Sequence, residues 1–140
     1  MRFWDTSAVV PLLVLEPETA RARRLAVEDP AIVTWWATRT ECISALARLR
    51  REGVIELEEE TRTRRLLLGL CGRWTEVLPG KRLRERAERL LLVHALLAAD
   101  AFQLAGALLW ARGRTTGRGL VSFDDRLRRA ATREGFDVLP

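Results

Sequence analysis

The sequence has few of the residues that form disulfide bonds or cysteine and histidine metal sites. Its two cysteines, Cys42 and Cys71, lie on separate predicted helices without a metal-ligand spacing, so buried free thiols are the favoured interpretation. His94 is the only histidine. It could act as a general base, but we favour a polar residue at the edge of the core. Candidate chemistry therefore rests on the carboxylates.

Long apolar runs are also missing. Charged residues interrupt every apolar stretch well before membrane-spanning length, and Arg2, Asp5 and Glu16 argue against a signal peptide. There is no internal repeat, low-complexity tract or interdomain linker. With 140 residues, of which 48% are hydrophobic, the chain is predicted to be globular and to form a single domain over residues 1–140. These features predict a cytoplasmic protein with no membrane segment.

Lysine is nearly absent, since Lys81 is the only one, and arginine carries most of the positive charge in a chain of net charge +5. Guanidinium groups suit phosphate because their planar fork binds two oxygens at once. The same usage could reflect genome composition or a hot habitat, so polyanion binding stays open. Arg82, Arg86 and Arg89 share one predicted helix face. They could line an RNA path or form a solvated face paired with nearby glutamates.

Short apolar segments alternate with amphipathic segments along the whole chain. The pattern predicts strands at 2–4, 31–34, 77–78, 120–123 and 137–139. It predicts helical segments at 8–15, 18–28, 38–52, 58–74, 82–92, 97–111 and 125–134, with Pro11 tolerable only near a first helical turn. Strands that alternate with helices form parallel sheets covered on both faces. The predicted fold class is therefore α/β, a small α/β/α sandwich.

Four acidic residues, far apart in the sequence, each follow or lie within an apolar segment: Asp5, Glu41, Asp100 and Asp124. A carboxylate in apolar surroundings loses hydration and needs a partner, a proton or a metal. Asp5 and Asp124 each follow a predicted strand, so both are expected at the carboxyl edge of the sheet. Carboxylates that meet without a compensating lysine or histidine suggest a hard divalent cation.

Each acid also has an ordinary structural interpretation. Asp5 and Asp124 could cap the helices that follow them. Glu41 could pair with a neighbouring arginine, because a glutamate in the middle of a helix usually lies on the surface. Asp100 is the hardest to explain in this way, since small apolar residues surround it on its helix.

The four segments that contain these acids resemble the acidic motifs of PIN-domain nucleases. Their order and spacing resemble those of VapC-type toxins of bacterial and archaeal toxin–antitoxin pairs, over nearly the whole chain. The segments are Phe3-Trp-Asp-Thr-Ser-Ala-Val-Val, Thr38-Arg-Thr-Glu-Cys, Leu97-Ala-Ala-Asp-Ala-Phe-Gln-Leu-Ala and Val121-Ser-Phe-Asp-Asp-Arg-Leu. Phe102 stands where such families often have an aliphatic residue, and none of the four acids is missing.

The resemblance implies a PIN-like α/β/α sandwich with a short central parallel sheet and a metal-dependent endoribonuclease. The implied reaction is cleavage of single-stranded RNA with Mg²⁺ or Mn²⁺, leaving a 5′-phosphate. Such an ion activates water and neutralises charge on the phosphate. The implied partners are RNA, a second copy in a homodimer, and a VapB-type antitoxin of a type II toxin–antitoxin system. Apolar side chains left over on the N-terminal helices could serve self-association or antitoxin docking: Val9, Leu12, Leu13, Leu46 and Leu49.

The resemblance also assigns roles to single residues. All four acids would be catalytic metal ligands, with Asp5 and Asp100 binding the metal most directly and Asp124 and Glu41 binding it directly or through water. Hydroxyl groups would lie near the metal or the scissile phosphate, and one further acid would be auxiliary; these residues are Thr6 or Ser7, Ser122 and Asp125.

Three other functions compete with this interpretation. A non-catalytic PIN-like module that binds RNA or protein would keep the fold. A phosphoryl-accepting receiver domain needs a lysine after a late strand, and Lys81 follows no strand of sufficient length. A haloacid-type phosphatase needs an aspartate two residues after Asp5, where Ser7 stands. Both phosphoryl-transfer alternatives are therefore weak.

Overall fold

One five-stranded parallel sheet forms the centre of the protein, and the computed structural model describes all 140 residues. The strand order is β3-β2-β1-β4-β5, and every neighbouring pair is parallel. The strands are β1 (Arg2–Trp4), β2 (Ile32–Trp35), β3 (Thr75–Val77), β4 (Gly119–Val121) and β5 (Asp137–Leu139). All five lie at or beside the predicted positions. β4 ends two residues before Phe123, and β3 begins two residues before Val77.

Seven helices connect or follow the strands. They are α1 (Thr6–Leu13), α2 (Thr19–Glu28), α3 (Thr38–Arg51), α4 (Leu57–Cys71), α5 (Lys81–Val93), α6 (Ala98–Trp110) and α7 (Asp125–Arg133). The predicted end of α4 was three residues too late, because the chain turns at Gly72 and enters β3 soon afterwards. No single helix is long and apolar enough to span a membrane, and only the pair α5 and α6, bent by 120° at their junction, reaches that length and composition together.

Pro11 corrects the expectation for α1. It is buried in the second turn of the helix rather than near the first turn. A proline there removes a backbone donor from the helix interior. The helix ends only two residues later, at Leu13, so the missing donor affects a short segment whose stability comes from packing.

The helices cover both faces of the sheet. Side chains alternate along each strand, so Phe3 packs with α5, α6 and α7, whereas Trp4 packs with α1, α2, α3 and α4. Leu120 and Val121 alternate in the same way on β4. This arrangement confirms the predicted α/β/α sandwich. Cys42 is buried in the second of these cores, and both cysteines are free.

Helix α6 approaches the sheet closely at Gly106. A Cβ atom at this position would lie 3.3 Å from Cβ of Trp35 and 3.5 Å from Cζ of Phe3. A side chain here would require Trp35 to move by a few tenths of an ångström, so glycine suits this close approach. This contact holds α6 against β1 and β2.

The chain order reverses beside β1. From β1 the chain moves outward to β2 and β3 on one side, then returns to place β4 and β5 on the other. Open parallel sheets bind ligands at such a reversal, in the crevice at the carboxyl ends of the strands. Asp5 directly follows β1, and Asp124 lies three residues after β4.

Candidate active site

The four acidic residues predicted as the site all line one cavity of about 620 Å³ at the carboxyl edge of the sheet. Asp5 comes from the β1–α1 junction, and Glu41 lies in the first turn of α3. Asp100 lies in the first turn of α6, and Asp124 immediately precedes α7. Four separate elements therefore bring side chains from positions 5 to 124 to one place.

Asp5 is the most deeply buried of the four, with 5% of its surface exposed. Burial raises its pKa from 3.8 to about 7, against the lowering effect of hydrogen bonds from Ser7. It stands at the N-cap position of α1, but its side chain makes no capping hydrogen bond. No arginine, lysine or histidine lies within ion-pair distance of it. Asp5 is therefore a buried acid without a cationic partner, and the backbone N–H groups of Ser7 and Ala8 at the start of α1 also lower its pKa.

Ser7 joins the two loops that carry Asp5 and Asp124. Its hydroxyl donates to Oδ1 of Asp5 at 2.8 Å. Its Oγ accepts hydrogen bonds from the backbone N–H of Phe123 at 2.8 Å and of Asp124 at 3.2 Å. Of the two hydroxyls considered in the first motif, Ser7 is therefore the one that contacts Asp5 and fixes the distance between the loops.

Ser122 supports this junction from inside the protein. Its side chain is buried, and its Oγ accepts the backbone N–H of Asp124 at 3.1 Å. It lies 3.4 Å from Oγ of Ser7 and is not among the residues that line the cavity. A hydrogen bond from its side chain also lowers the pKa of Asp5, so Ser122 contacts both the β4–α7 loop and a site acid.

Glu41 belongs to a hydrogen-bond network with Thr6 and Gln103. The hydroxyl of Thr6 donates to Oε2 of Glu41. Nε2 of Gln103 lies 2.7 Å from the same carboxylate oxygen and 2.9 Å from Oγ1 of Thr6. A third contact of this amide, at 3.2 Å, reaches Oγ1 of Thr38. Glu41 forms no ion pair with an arginine, so the surface-pair alternative is wrong.

Gln103, like the acids Glu16 and Glu18, lies at the site although the sequence did not predict it there. It is 3% exposed and lines the same cavity as the four acids. A signal was present, because Gln103 is the only polar residue between Asp100 and the end of α6 and lies one turn after Asp100. A buried amide in an apolar helix requires hydrogen-bond partners. Here Nε2 contacts Thr6, Thr38 and Glu41, whereas Oε1 has no partner in the protein.

Asp100 and Asp124 face each other near Arg126. Burial raises the pKa of Asp100, the negative charge of Asp124 raises it further, and the backbone N–H of Leu97 and the charge of Arg126 lower it. Nη2 of Arg126 lies 3.9 Å from Oδ2 of Asp100 and 4.0 Å from Oδ2 of Asp124. Oδ1 of Asp124 accepts the N–H of Leu127 at 2.8 Å. Asp124 therefore caps α7 with one oxygen and has the other near Arg126.

Asp125 does not line the cavity. Its side chain is 77% exposed and pairs with Arg128 at 3.5 Å, on the first turn of α7. The alternation of side-chain directions after Asp124 turns Asp125 toward solvent. The structure thus separates this predicted auxiliary acid from the other four.

The donor set fits a divalent cation, although the side chains are not preassembled around one. No three histidine, cysteine, aspartate or glutamate side chains stand close enough to hold one ion in their present positions. The cavity nevertheless brings together six carboxylates, the four predicted acids with Glu16 and Glu18, and burial raises the pKa of three of them, Asp5, Glu16 and Asp100. The only arginine that lines the cavity is Arg48. Carboxylate oxygens are the preferred ligands of Mg²⁺ and Mn²⁺.

A family model described as the PIN domain matches residues 2–133, which is nearly the whole chain. The chain belongs to the PIN domain family. No curated protein sequence matches this PIN domain significantly. The four acidic motifs that suggested the family are the segments that form the cavity, so the sequence resemblance and the geometry coincide.

Solved structures share the fold of this PIN domain. Mycobacterium tuberculosis VapC20, described as a sarcin–ricin loop cleaving toxin, has 20% identity and a TM-score of 0.68 over 97% of this chain and 96% of its own. FitAcB from Neisseria gonorrhoeae has 16% identity and a TM-score of 0.67 over 100% and 97%. A toxin–antitoxin complex from Klebsiella pneumoniae has 19% identity and a TM-score of 0.63 over 100% and 97%.

Proposed function

We propose that this PIN domain is a Mg²⁺- or Mn²⁺-dependent endoribonuclease that cleaves single-stranded RNA. The observation that carries the proposal is the convergence of Asp5, Glu41, Asp100 and Asp124 on one cavity at the reversal of the sheet. The burial of Asp5 without a cationic partner adds to it. A folded protein avoids uncompensated buried carboxylates unless they serve a function that needs them.

The four acids would hold the ion, and the residues around them would set their positions. When bound, the ion supplies an activated water and neutralises charge on the phosphodiester. Ser7 orients Asp5 through its hydroxyl, and Gln103 orients Glu41 through its amide. With the ion absent, the acids would repel the phosphodiester, so metal binding and RNA binding are expected to depend on each other.

We further propose that the protein acts as the toxin of a type II toxin–antitoxin pair, in the cytoplasm, as a homodimer. Support comes from the fold shared with VapC20 and with a toxin–antitoxin complex. Val9 and Leu46, considered for docking, are fully buried in the core and cannot contact a partner. Leu12 and Leu13 instead line an apolar cavity of about 590 Å³, which is a candidate surface for an antitoxin.

Cleavage of a mixed single-stranded RNA by antitoxin-free protein tests the proposed activity. The reaction would be run with Mn²⁺, with Mg²⁺ and with chelator. Asp100→Asn should reduce the metal-dependent rate at least about 100-fold, the scale of removing one group that stabilises transition-state charge. Asp137→Asn is the matched control, because Asp137 is exposed at the opposite, amino edge of the sheet.

A second candidate function is a non-catalytic PIN-like module that binds RNA or protein. It is favoured by one observation, that no three of the acids are placed to hold one ion as they stand. Calorimetric titration with Mn²⁺ distinguishes the two. Metal binding that Asp100→Asn weakens, together with cleavage, supports the nuclease. Folded protein that binds no metal and cuts no RNA would instead support the module.

A further inference from the structure

A basic cavity lies beside the acidic one. It has a volume of about 260 Å³ and is lined by six residues, none of them acidic: His94, Ala95, Arg126, Arg129, Ala130 and Arg133. Arg126 connects the two cavities, because its guanidinium group lines the basic cavity and also lies 3.9 Å from Asp100 and 4.0 Å from Asp124. The basic cavity therefore adjoins the carboxylate cavity at Arg126.

The three arginines of the basic cavity share one face of α7. Their positions, i, i+3 and i+7, place side chains one above the other along a helix. Arg129 and Arg133 have no carboxylate within ion-pair distance, and the two contacts of Arg126 are at the limit of that distance. Three exposed guanidinium groups along one helix face create a positive potential that attracts anions. The arrangement suits a phosphate group, which a guanidinium fork can bind with two hydrogen bonds.

His94 provides an independent observation at the same place. Its side chain is only 7% exposed, and its Nε2 lies 2.8 Å from Oε1 of Glu134. The other ring nitrogen, Nδ1, is buried and has no hydrogen-bond partner in the protein. Buried polar atoms are normally satisfied. His94 is thus a polar residue that Glu134 holds in the wall of the basic cavity.

We propose that His94, Arg126, Arg129 and Arg133 form a subsite for a backbone phosphate of the RNA strand next to the scissile one. The inference rests on the proposed function for its choice of RNA as the ligand. A single strand carries one phosphate per nucleotide, so a strand with one phosphate at the carboxylates has others close by. Arg126 stands at the boundary, and Arg129 and Arg133 follow it along α7 in the direction away from the acids.

The alternative basic surface, on α5, is less suited to this role. Arg82, Arg86 and Arg89 line a separate cavity of about 250 Å³, but Glu85 lines it too. None of these arginines pairs with an acid of the carboxylate cavity. The solvated-face interpretation therefore suits α5, whereas the arginines of α7 continue directly from the site.

Binding of a fluorescent single-stranded RNA to protein supplied with Ca²⁺ in place of Mg²⁺ or Mn²⁺ tests the subsite with the charge of the acids neutralised and without requiring cleavage. The variant Arg129→Gln/Arg133→Gln should weaken binding roughly tenfold, the equivalent of one charge-assisted hydrogen bond. The dependence of log Kd on log salt should become shallower by about 0.7 for each phosphate that the variant no longer binds. Arg62→Gln/Arg65→Gln is the matched control, since it makes the same charge change on exposed positions of α4, against the other face of the sheet.

The outcomes separate the subsite from the nuclease. Weaker binding by the α7 variant, with less than a twofold change in the α4 control, supports the subsite. The subsite is overturned if RNA binding weakens equally in the α7 variant and the α4 control, or does not weaken in the α7 variant. It is also overturned if RNA binding weakens only in the α5 variant Arg82→Gln/Arg86→Gln, or if the unmodified protein binds no RNA. If the protein binds RNA through α7 but cuts none with metal, the subsite stands and the proposed activity fails. With cleavage present, the α7 variant should raise KM and leave kcat nearly unchanged.

Discussion

Asp5 should make the metal-free protein less stable than a variant that lacks its charge. The substitution Asp5→Asn keeps the shape of the side chain and an oxygen that can accept the hydrogen bond from Ser7, which is 2.8 Å long in the native protein. It removes a negative charge from a position that is 5% exposed and has no cationic partner. In the absence of metal, the native carboxylate therefore opposes folding whenever it is ionised.

The loss of folding free energy caused by the ionised Asp5 can be calculated from the shift of its pKa. Burial raises the pKa of Asp5 from 3.8 to about 7. Each pKa unit between the folded and unfolded states corresponds to about 1.4 kcal/mol. The difference corresponds to about 4 kcal/mol of folding free energy, an order-of-magnitude value. That is a large part of the 5–15 kcal/mol, roughly, that stabilises an ordinary domain.

The sign of the pH dependence is fixed by the direction of the shift. Below pH 3.8 Asp5 is protonated in both states and has no effect on stability. As the pH rises toward 7, the unfolded state releases its proton while the folded state retains it, so the free energy of unfolding falls. Above pH 7 this decrease is complete. Asp5→Asn should therefore match the native protein near pH 4 and be more stable by about 4 kcal/mol near pH 8.5.

Urea unfolding with chelator, at a series of pH values, measures this difference. Asp137→Asn is the control, because this aspartate is exposed on β5. A difference between Asp5→Asn and the native protein that stays constant from pH 4 to pH 8.5 would refute the reasoning. Adding Mn²⁺ at pH 8.5 should stabilise the native protein, because a ligand that binds only the folded state stabilises it. The difference in free energy of unfolding between Asp5→Asn and the native protein should then become smaller.

Two further predictions concern buried side chains. Gln103→Leu removes the amide that contacts Glu41 at 2.7 Å, so Mn²⁺ affinity should fall about 10- to 100-fold, as when the partner of a metal ligand is removed. Calorimetry that finds an affinity within twofold of the native value would contradict this role. Burial raises the pKa of the Cys42 thiol to about 12, so in a Cys71→Ala background a thiol reagent at pH 8 should label Cys42 only after unfolding. Rapid labelling of Cys42 in the folded protein would show that the reagent reaches this thiol, which would contradict the prediction.

The sequence predicted the fold well because its signals are local. The strands are short apolar segments between charged helices, and such a pattern leaves few arrangements other than a covered parallel sheet. Helix ends were less accurate, as at Cys71, because tertiary contacts decide where the last turn stops. Pro11 shows a larger difference between prediction and structure. The low helix propensity of proline argued against a place in the second turn of α1, but the packing of this short buried helix outweighs that propensity.

The candidate site was predictable only in part. Acids that follow parallel strands must meet at one edge, so Asp5 and Asp124 could be paired from the sequence. Asp125 follows Asp124 in the chain with the same chemistry, and only the direction of its side chain removes it from the cavity. In the sequence, Gln103 is distinguished only as the single polar residue between Asp100 and the end of α6. Its importance arises from three contacts with residues distant in the chain.

By itself, the sequence determined which residues are acidic, which segments are apolar and in what order they occur. These properties established the layered sheet, the PIN family and the four candidate acids. Only the tertiary structure decided how strongly each acid is desolvated and what contacts it. Burial and hydrogen bonding depend on neighbours from other elements, as for Asp5 beneath the β4–α7 loop. The same holds for the arginines: α5 and α7 both carry basic faces, and only the fold places α7 beside the carboxylates.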